Sequence, residues 1–419
     1  MDVVIAVVVT AIVVLLAITL APEERRISYR VEHEYGVHDP QFVQTMGVLL
    51  GPPLIPGNRI QPLQNGDEIF PAMLAAIRGA ESTICFETYI YWSGRIGREF
   101  AEALAERARA GVTVHVLLDW LGTGKMDAEL LEMMRDAGVE VEKYHKPHWY
   151  TIARMNNRTH RKLLIVDGRL GFTGGVGIAD EWLGHAQDPA HWRDVHFRVE
   201  GPVVAQMQST FLDNWMQTRG AVLHGERYFP PLEQAGNQVA QMFRSGPDEG
   251  SESVRLMYLL AMAAAERRIV LMNSYFVPDR LAIDTFVQAR KRGVEVDIIV
   301  PGKHIDSHVT RRASRSLWEP LLEAGVRIYE YQPTMMHAKV MVVDGVWISV
   351  GSTNFDNRSF RLNDEANLNI CDSDLAADLE RMFVEDLKRT RQMTLEAWRR
   401  RPLRDKVREG LAKVVRGQV

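Results

Sequence analysis

Cysteine is almost absent from this chain: Cys85 and Cys371 are the two thiols in 419 residues. Two thiols so far apart in sequence exclude a disulfide-stapled fold and a thiolate zinc site, and each is expected to be a reduced core residue. An excess of one charge is also missing. The 50 Lys and Arg against 54 Asp and Glu leave −4, which excludes a protein that coats nucleic acid by bulk charge. No second long apolar run follows the first 20 residues, which excludes a polytopic membrane protein. Hydrophobic residues at 46% and charged residues at 25% exclude wholesale disorder. At this length, what remains is an enzyme or binding protein of two medium domains.

The single apolar run covers residues 3–20 and is broken only by Thr10 and Thr19. As a helix it would be about 27 Å long, near the roughly 30 Å hydrocarbon core of a bilayer. A cleaved signal peptide wants a basic stretch ahead of the run, and only Met1 and Asp2 stand there. Its best cleavage site, Thr19-Leu20-Ala21, is followed by Pro22. Arg25, Arg26 and Arg30 on the far side favour retention in the cytoplasm. The expectation is a single-pass transmembrane anchor at 3–20 in the inner membrane, with cytoplasmic catalytic domains. A periplasmic or lumenal placement is the alternative.

Residues 21–57 show no long periodic element and read as a connector ending in the stiff Gly51-Pro-Pro-Leu-Ile-Pro-Gly57. Beyond it the sequence resembles itself. Strands are expected at 83–91, 112–118 and 139–144, with helices at 96–110 and 126–137 between them. The same order recurs as strands at 268–276, 294–300 and 326–331, with helices at 280–292 and 307–324. RARAGVTVHVLL matches ARKRGVEVDIIV, and LLEMMRDAGVEVEKY matches LWEPLLEAGVRIYEY. The alternation predicts an α/β fold of two duplicated domains, 58–217 and 237–395, each a mainly parallel sheet covered by helices and related by a pseudo-twofold axis. A linker at 218–236, carrying Gly220, Gly225, Pro230 and Pro231, joins them, and 396–419 forms a basic tail.

Each half carries the same polar constellation. T-H-R-K-L-L-I-V-D-G places His160, Lys162 and Asp167; M-H-A-K-V-M-V-V-D-G places His337, Lys339 and Asp344. Positions i and i+2 of a strand share a face, so each His projects beside its Lys. The apolar runs after them read as buried strand, and Asp-Gly as a hairpin turn. A single His beside a Lys is often structural; two copies in a duplicated fold can line one cleft. Two imidazoles and two ammonium groups suit displacement at a phosphodiester. One His attacks phosphorus, the other protonates the leaving oxygen, and the lysines stabilise phosphoryl charge. A metal site using His145, His148 or His185 is disfavoured, because a lysine beside each motif His repels a dication and no closely spaced His set exists. No cofactor is expected.

With these motifs the chain resembles the phospholipase D superfamily, whose mark is two H-x-K-x4-D motifs followed by G-S-x-N. The second copy fits throughout, with Gly351, Ser352 and Asn354. The resemblance covers roughly residues 58 to 395. It implies a metal-independent, two-step reaction through a phosphohistidine, with His160 as nucleophile and His337 as general acid and then base. Lys162, Lys339 and Asn354 would bind the substrate phosphate. The first copy departs from the family at Gly177, where relatives often carry Asn. Asp194 and Glu365, in matching places of the two halves, are candidates to orient the histidines, with surface salt bridges as the alternative. Asp167 and Asp344 belong to the motif's catalytic set but rank below the His and Lys residues, because a turn-holding role suits them better.

Three features direct the choice of reaction. The expected anchor holds the site at a membrane. FETYIYW, GFTGGVGIADEWLG, HWRDVHFRVEGP and NSYFVPD look like bacterial cardiolipin synthases, which transfer a phosphatidyl group between phosphatidylglycerol molecules and release glycerol. Tyr89, Tyr91, Trp92, Tyr275 and Phe276 could rim an acceptor pocket, or simply pack. Gly122-Thr-Gly-Lys125 lacks the spacing of a phosphate loop and reads as a plain turn. Residues 399–416 hold eight basic residues, with Asp405 and Glu409 as acids, and Leu403, Val407, Leu411 and Val414 at helical spacing. That is a basic amphipathic helix for anionic lipid, or one docked on its own domain. The expected partners are phospholipids and the membrane, not nucleic acid. A hydrolase releasing phosphatidic acid, a nuclease and a non-catalytic binding protein follow in that order.

Overall fold

The computed structural model describes residues 30–145, 157–247 and 252–412, with Thr10 alone from the N-terminal run. The expected anchor at 3–20 otherwise lies outside the described residues, and among those described no helix is long and apolar enough to cross a membrane.

The chain begins with α1 (Pro40–Leu50), capped by Asp39, whose carboxylate accepts the Gln41 amide. Phe42, Met46 and Leu50 turn inward, and Phe42 meets the Trp347 ring edge-on at 4.9 Å. The expected connector therefore contains a helix docked on the second half. Its inward residues recur only three times, too few to show a period.

The first half comprises β1 (Ile55–Gln64), α2 (Asn65–Arg78), β2 (Thr83–Thr88), α3 (Arg95–Arg109), β3 (Thr113–Asp119), α4 (Ala128–Asp136), β4 (Glu140–Tyr144), β5 (Arg158–Thr159), β6 (Leu163–Val166), β7 (Leu170–Gly174), β8 (Val195–Glu200) and α5 (Val204–Arg219). The second runs through β9 (Gln238–Ser245), α6 (Ser253–Ala264), β10 (Arg268–Asn273), α7 (Arg280–Lys291), β11 (Glu295–Pro301), α8 (His308–Arg315), α9 (Glu319–Glu323), β12 (Arg327–Tyr331), β13 (Lys339–Val343), β14 (Trp347–Gly351), α10 (Asn357–Arg361), β15 (Asn363–Cys371) and α11 (Ser373–Leu387). An edge strand β16 (Thr390–Met393) and the helices α12 (Leu395–Arg399) and α13 (Leu403–Ala412) follow. The helix expected over 307–324 is split into α8 and α9, with Pro320 in the first turn of the latter.

Strand order along the sheet is β16-β12-β11-β10-β13-β14-β15-β9-β1-β8-β7-β6-β2-β3-β4, with β5 on β15. Around the central β9–β1 pairing the two halves repeat in mirrored order, which is the duplication in three dimensions. The sheet is mixed rather than mainly parallel. β2, β3 and β4 run parallel, as do β10, β11 and β12. The pairings from β2 inward to β10 are antiparallel. The cause is loop length. Helical crossovers join the parallel strands, whereas Asp167-Gly168 and Asp344-Gly345, with φ of 53° and 62° and of 53° and 69°, make tight hairpin turns.

One core cluster is common to both halves. Met207, Phe211 and Trp215 of α5 and Leu375, Leu379 and Phe383 of α11 bury against strands of both. The opposite face is covered separately, by α2 and α3 on the first half and by α6 and α7 on the second.

Candidate active site

His160 and His337 stand just ahead of β6 and β13, where each strand meets the other half. The His160 amide donates to the Asp364 carbonyl at 2.8 Å, and Thr159 pairs with Asp364 through β5 and β15. The His337 amide donates to the Arg193 carbonyl at 2.7 Å, beside a bridge between Arg193 and Met336. Each histidine is thus stitched to the residue just before a carboxylate of the opposite half.

The side chains continue the exchange. His160 Nδ1 lies 3.0 Å from Glu365 Oε2, and His337 Nδ1 lies 2.7 Å from Asp194 Oδ2. A neutral imidazole donating Nδ1–H to such a carboxylate carries its lone pair on Nε2. The Ser352 hydroxyl donates to Glu365 Oε2 at 2.5 Å, and Trp182 Nε1 donates to Asp194 Oδ2 at 2.9 Å. Both carboxylates are fully buried. Burial alone would raise them, but the facing imidazole and these donors hold each down to about 2.

Burial works the other way on the cations. It lowers His160 to about 4 against the pull of Glu365, and it lowers His337 with help from the Lys339 charge. Lys162 falls to about 7 through burial and the neighbouring Lys339 charge. Lys339, buried but facing Asp194 and Glu365, falls to about 8. The two lysines are held differently. Lys339 Nζ donates to the Ser274 hydroxyl and the His337 carbonyl, both at 2.6 Å, and lies 3.2 Å from the His337 ring nitrogens. Lys162 Nζ donates to the His160 carbonyl at 2.9 Å.

Both histidines, Lys162 and Asn354 line one cavity of about 710 Å³ between the halves. Asn354 Oδ1 accepts the Ser274 hydroxyl at 2.7 Å, which leaves its amide NH2 for a ligand. In the first half, a Cβ at Gly177 would come within 2.9 Å of Ile90 Cβ, and Ile90 itself lines the cavity. A branched apolar side chain fills the room that an asparagine would need.

Asp167 and Asp344 lie elsewhere, at the far ends of β6 and β13. Asp167 accepts the amides of Glu81, Ser82 and Thr83 at 3.0, 2.7 and 2.8 Å. Asp344 accepts those of Glu266, Arg267 and Arg268 at 2.8 Å. They do not line the cavity: they tie each hairpin turn to the start of the neighbouring strand.

Of the aromatic candidates, Tyr89, Trp92 and Tyr275 line the cavity, whereas Tyr91 and Phe276 are buried core residues. Several contributors escaped the sequence reading. Trp182 and Trp192 pack their rings 5.2 and 5.5 Å from His337. The turn at 122–125 is no phosphate loop, yet it brings Gly122 and Lys125 to the cavity, with Lys125 Nζ 3.8 Å from the Trp92 ring centroid. Arg158 and Arg358 add a cation from each half. Among the described residues no three His, Cys, Asp or Glu side chains gather as a metal site; His185 instead faces Asp67 on the surface at 3.3 Å, and His148 lies outside the described residues.

The family described as "Cardiolipin synthase, PLD-like domain" matches residues 73–215 and 258–387, one block per half. Cardiolipin synthase 1 of Bacillus anthracis is 33% identical over 392 residues, 91% of this chain and 76% of that protein. Cardiolipin synthase A of Pseudomonas fluorescens is 35% identical over 350 residues, 82% of this chain and 71% of that one. Among solved structures, phosphatidylserine synthase of Haemophilus influenzae superposes with a TM-score of 0.68 at 15% identity, over 90% of this chain and 100% of that one, and so shares the fold. With a matching block on each half and relatives aligned over most of their own length, the chain belongs to the phospholipase D-like cardiolipin synthase family.

Proposed function

We propose that the chain is a membrane-anchored phosphatidyltransferase that joins two phosphatidylglycerol molecules into cardiolipin and releases glycerol. The observation that carries this reading is the crossed pairing of each motif histidine with a buried carboxylate of the other half, around one cavity. The family membership supports the lipid substrate.

In the first step His160 Nε2, neutral in the free site, attacks the phosphorus of one phosphatidylglycerol. Its P–O bond to glycerol breaks while His337 gives that oxygen a proton, leaving phosphatidyl on His160. In the second, His337 takes the proton from a hydroxyl of the incoming phosphatidylglycerol, whose oxygen attacks phosphorus as the P–N bond breaks. Asp194 and Glu365 steady the imidazolium states. The anionic substrate phosphate raises the proton affinity of His337 on binding, so His337 acts as an acid only when substrate is present. Lys162, Lys339 and the Asn354 amide meet the phosphoryl oxygens. Tyr89, Trp92 and Tyr275 at the cavity favour a lipid alcohol over water. The apolar run at 3–20 would hold the enzyme at the inner membrane, with its catalytic halves on the cytoplasmic side.

The test supplies labelled phosphatidylglycerol in vesicles to the purified chain with a chelator present. Cardiolipin plus free glycerol is expected. Phosphatidic acid as sole product would replace the transferase by a hydrolase. His160→Ala is expected to abolish turnover and the acid-quenched phosphoprotein together; a normal adduct in that variant would overturn the nucleophile assignment.

A further inference from the structure

Away from the catalytic cavity, α8 and α13 enclose a second cavity of about 300 Å³, lined by Arg311, Arg312, Arg315, Arg391 and Arg408 with Asp405 and Glu409. Its acids are outnumbered. Glu330, fully buried beneath it, accepts from Arg311, Arg315 and Arg391, and Glu409, also buried, accepts from Arg315 and Arg401. Counting Asp405, which pairs with Arg404 at 3.6 Å, three carboxylates face seven guanidiniums. Arg312 and Arg408 line the cavity outside these pairs. Guanidinium donors in this excess suit an anionic acceptor.

The surroundings identify the kind of acceptor. Val309 on α8 and Leu403 and Val407 on α13 are exposed at 47%, 76% and 55%. Leu403 and Val407 share a helix face at i and i+4. Guanidinium donors beside exposed aliphatic side chains suit a phosphate that carries apolar chains, and bidentate arginines match phosphate geometry. α8 also touches the catalytic cavity, which Ser307 and Thr310 line at its N-terminal end. Its remaining turns supply Arg311, Arg312 and Arg315 to the second cavity. We propose that the arginine cavity between α8 and α13 binds the phosphate headgroup of an anionic phospholipid, a docking site separate from the reacting one, and seats both helices on the bilayer beside the catalytic cleft.

The test follows hydrogen exchange of peptides covering α8 and α13 in the full chain, held in neutral-detergent micelles. Rising phosphatidylglycerol is expected to slow exchange of both helices, and phosphatidylcholine is not. Each basic side chain at an anionic surface strengthens partitioning by about fivefold. Arg312→Gln and Arg408→Gln should therefore each move the half-protection point to about fivefold more phosphatidylglycerol, with unchanged kcat at saturating substrate. Equal protection by phosphatidylcholine, or half-points unmoved in both variants, would overturn the proposal. Equal protection by inorganic phosphate would make this a free-anion site and overturn the lipid assignment. Turnover is measured in the same samples, so a failure of the transferase reading shows separately from a failure of this one.

Discussion

Protonation at the reacting nitrogens sets what each residue can do and at what pH. His160 is held at about 4, Lys162 at about 7 and Lys339 at about 8. As pH rises through about 4, His160 loses its proton, which the proposed mechanism requires of its nucleophile. As pH rises through 7 to 8, the lysines lose the charge that the proposed mechanism sets against the phosphate. The kcat/KM for phosphatidylglycerol, which reports free-enzyme groups, is expected to climb on the acid side, to fall as His337, lowered by burial, loses its acidic proton, and to fall in two further alkaline steps near 7 and 8 as the lysines discharge. Lys162→Met should remove the step near 7 and lower kcat/KM by about 10²- to 10³-fold; an unchanged alkaline limb in its pH profile would assign that step to another group. Glu365→Gln should slow phosphoprotein formation by about 10²- to 10⁴-fold in rapid-quench measurements, with the fold intact, because the amide cannot stabilise the His160 imidazolium. The His-x-Lys pairs repeat at one spacing in both halves, whereas Asp194 lies 34 residues after His160 and Glu365 lies 28 after His337, so the letters offered the carboxylates only by their place in the order of elements. Which carboxylate serves which histidine was not legible, because it depends on how the halves face each other. Trp182 was equally hidden: an indole gives no sign in sequence of the acceptor it will find.

Elements were legible where their period was long. α3 and α7 and the strands beside them fall close to their expected places. The antiparallel β6–β7 hairpin was read from its Asp-Gly turn, but the antiparallel pairings β2–β6 and β7–β8 were missed, because a short apolar run looks the same whether its partner is parallel or antiparallel. The two motif aspartates show what such a hairpin needs. Asp344, with φ of 53°, collects three amides. Asp344→Ala should lower unfolding free energy by about 2–4 kcal/mol, from lost acceptors and a strained left-handed backbone. The kcat of the folded fraction should stay within about twofold, since no step is routed through this side chain. Chemical denaturation together with active-site titration checks both. Helix α1 carries its own forecast: Phe42→Ala empties a buried ring site against Trp347 and should cost about 3–5 kcal/mol in the same denaturation assay.

At the scale of the whole molecule, the duplication was readable from paired segments alone, but the continuous sheet was not. β9 and β1 join the halves edge to edge, and α5 and α11 bury into a core that both halves supply. Unfolding in scanning calorimetry is therefore expected as one cooperative transition with matching calorimetric and van't Hoff enthalpies; two resolved peaks would mean independently stable halves. The exchange of carboxylates across the divide has a bearing on ancestry as well. A single-copy forerunner with this geometry would carry a histidine whose steadying acid pointed away from it, toward a neighbour. Such a chain is inert in isolation and becomes competent only on meeting its twin, so gene fusion would have made permanent an encounter that had until then depended on concentration.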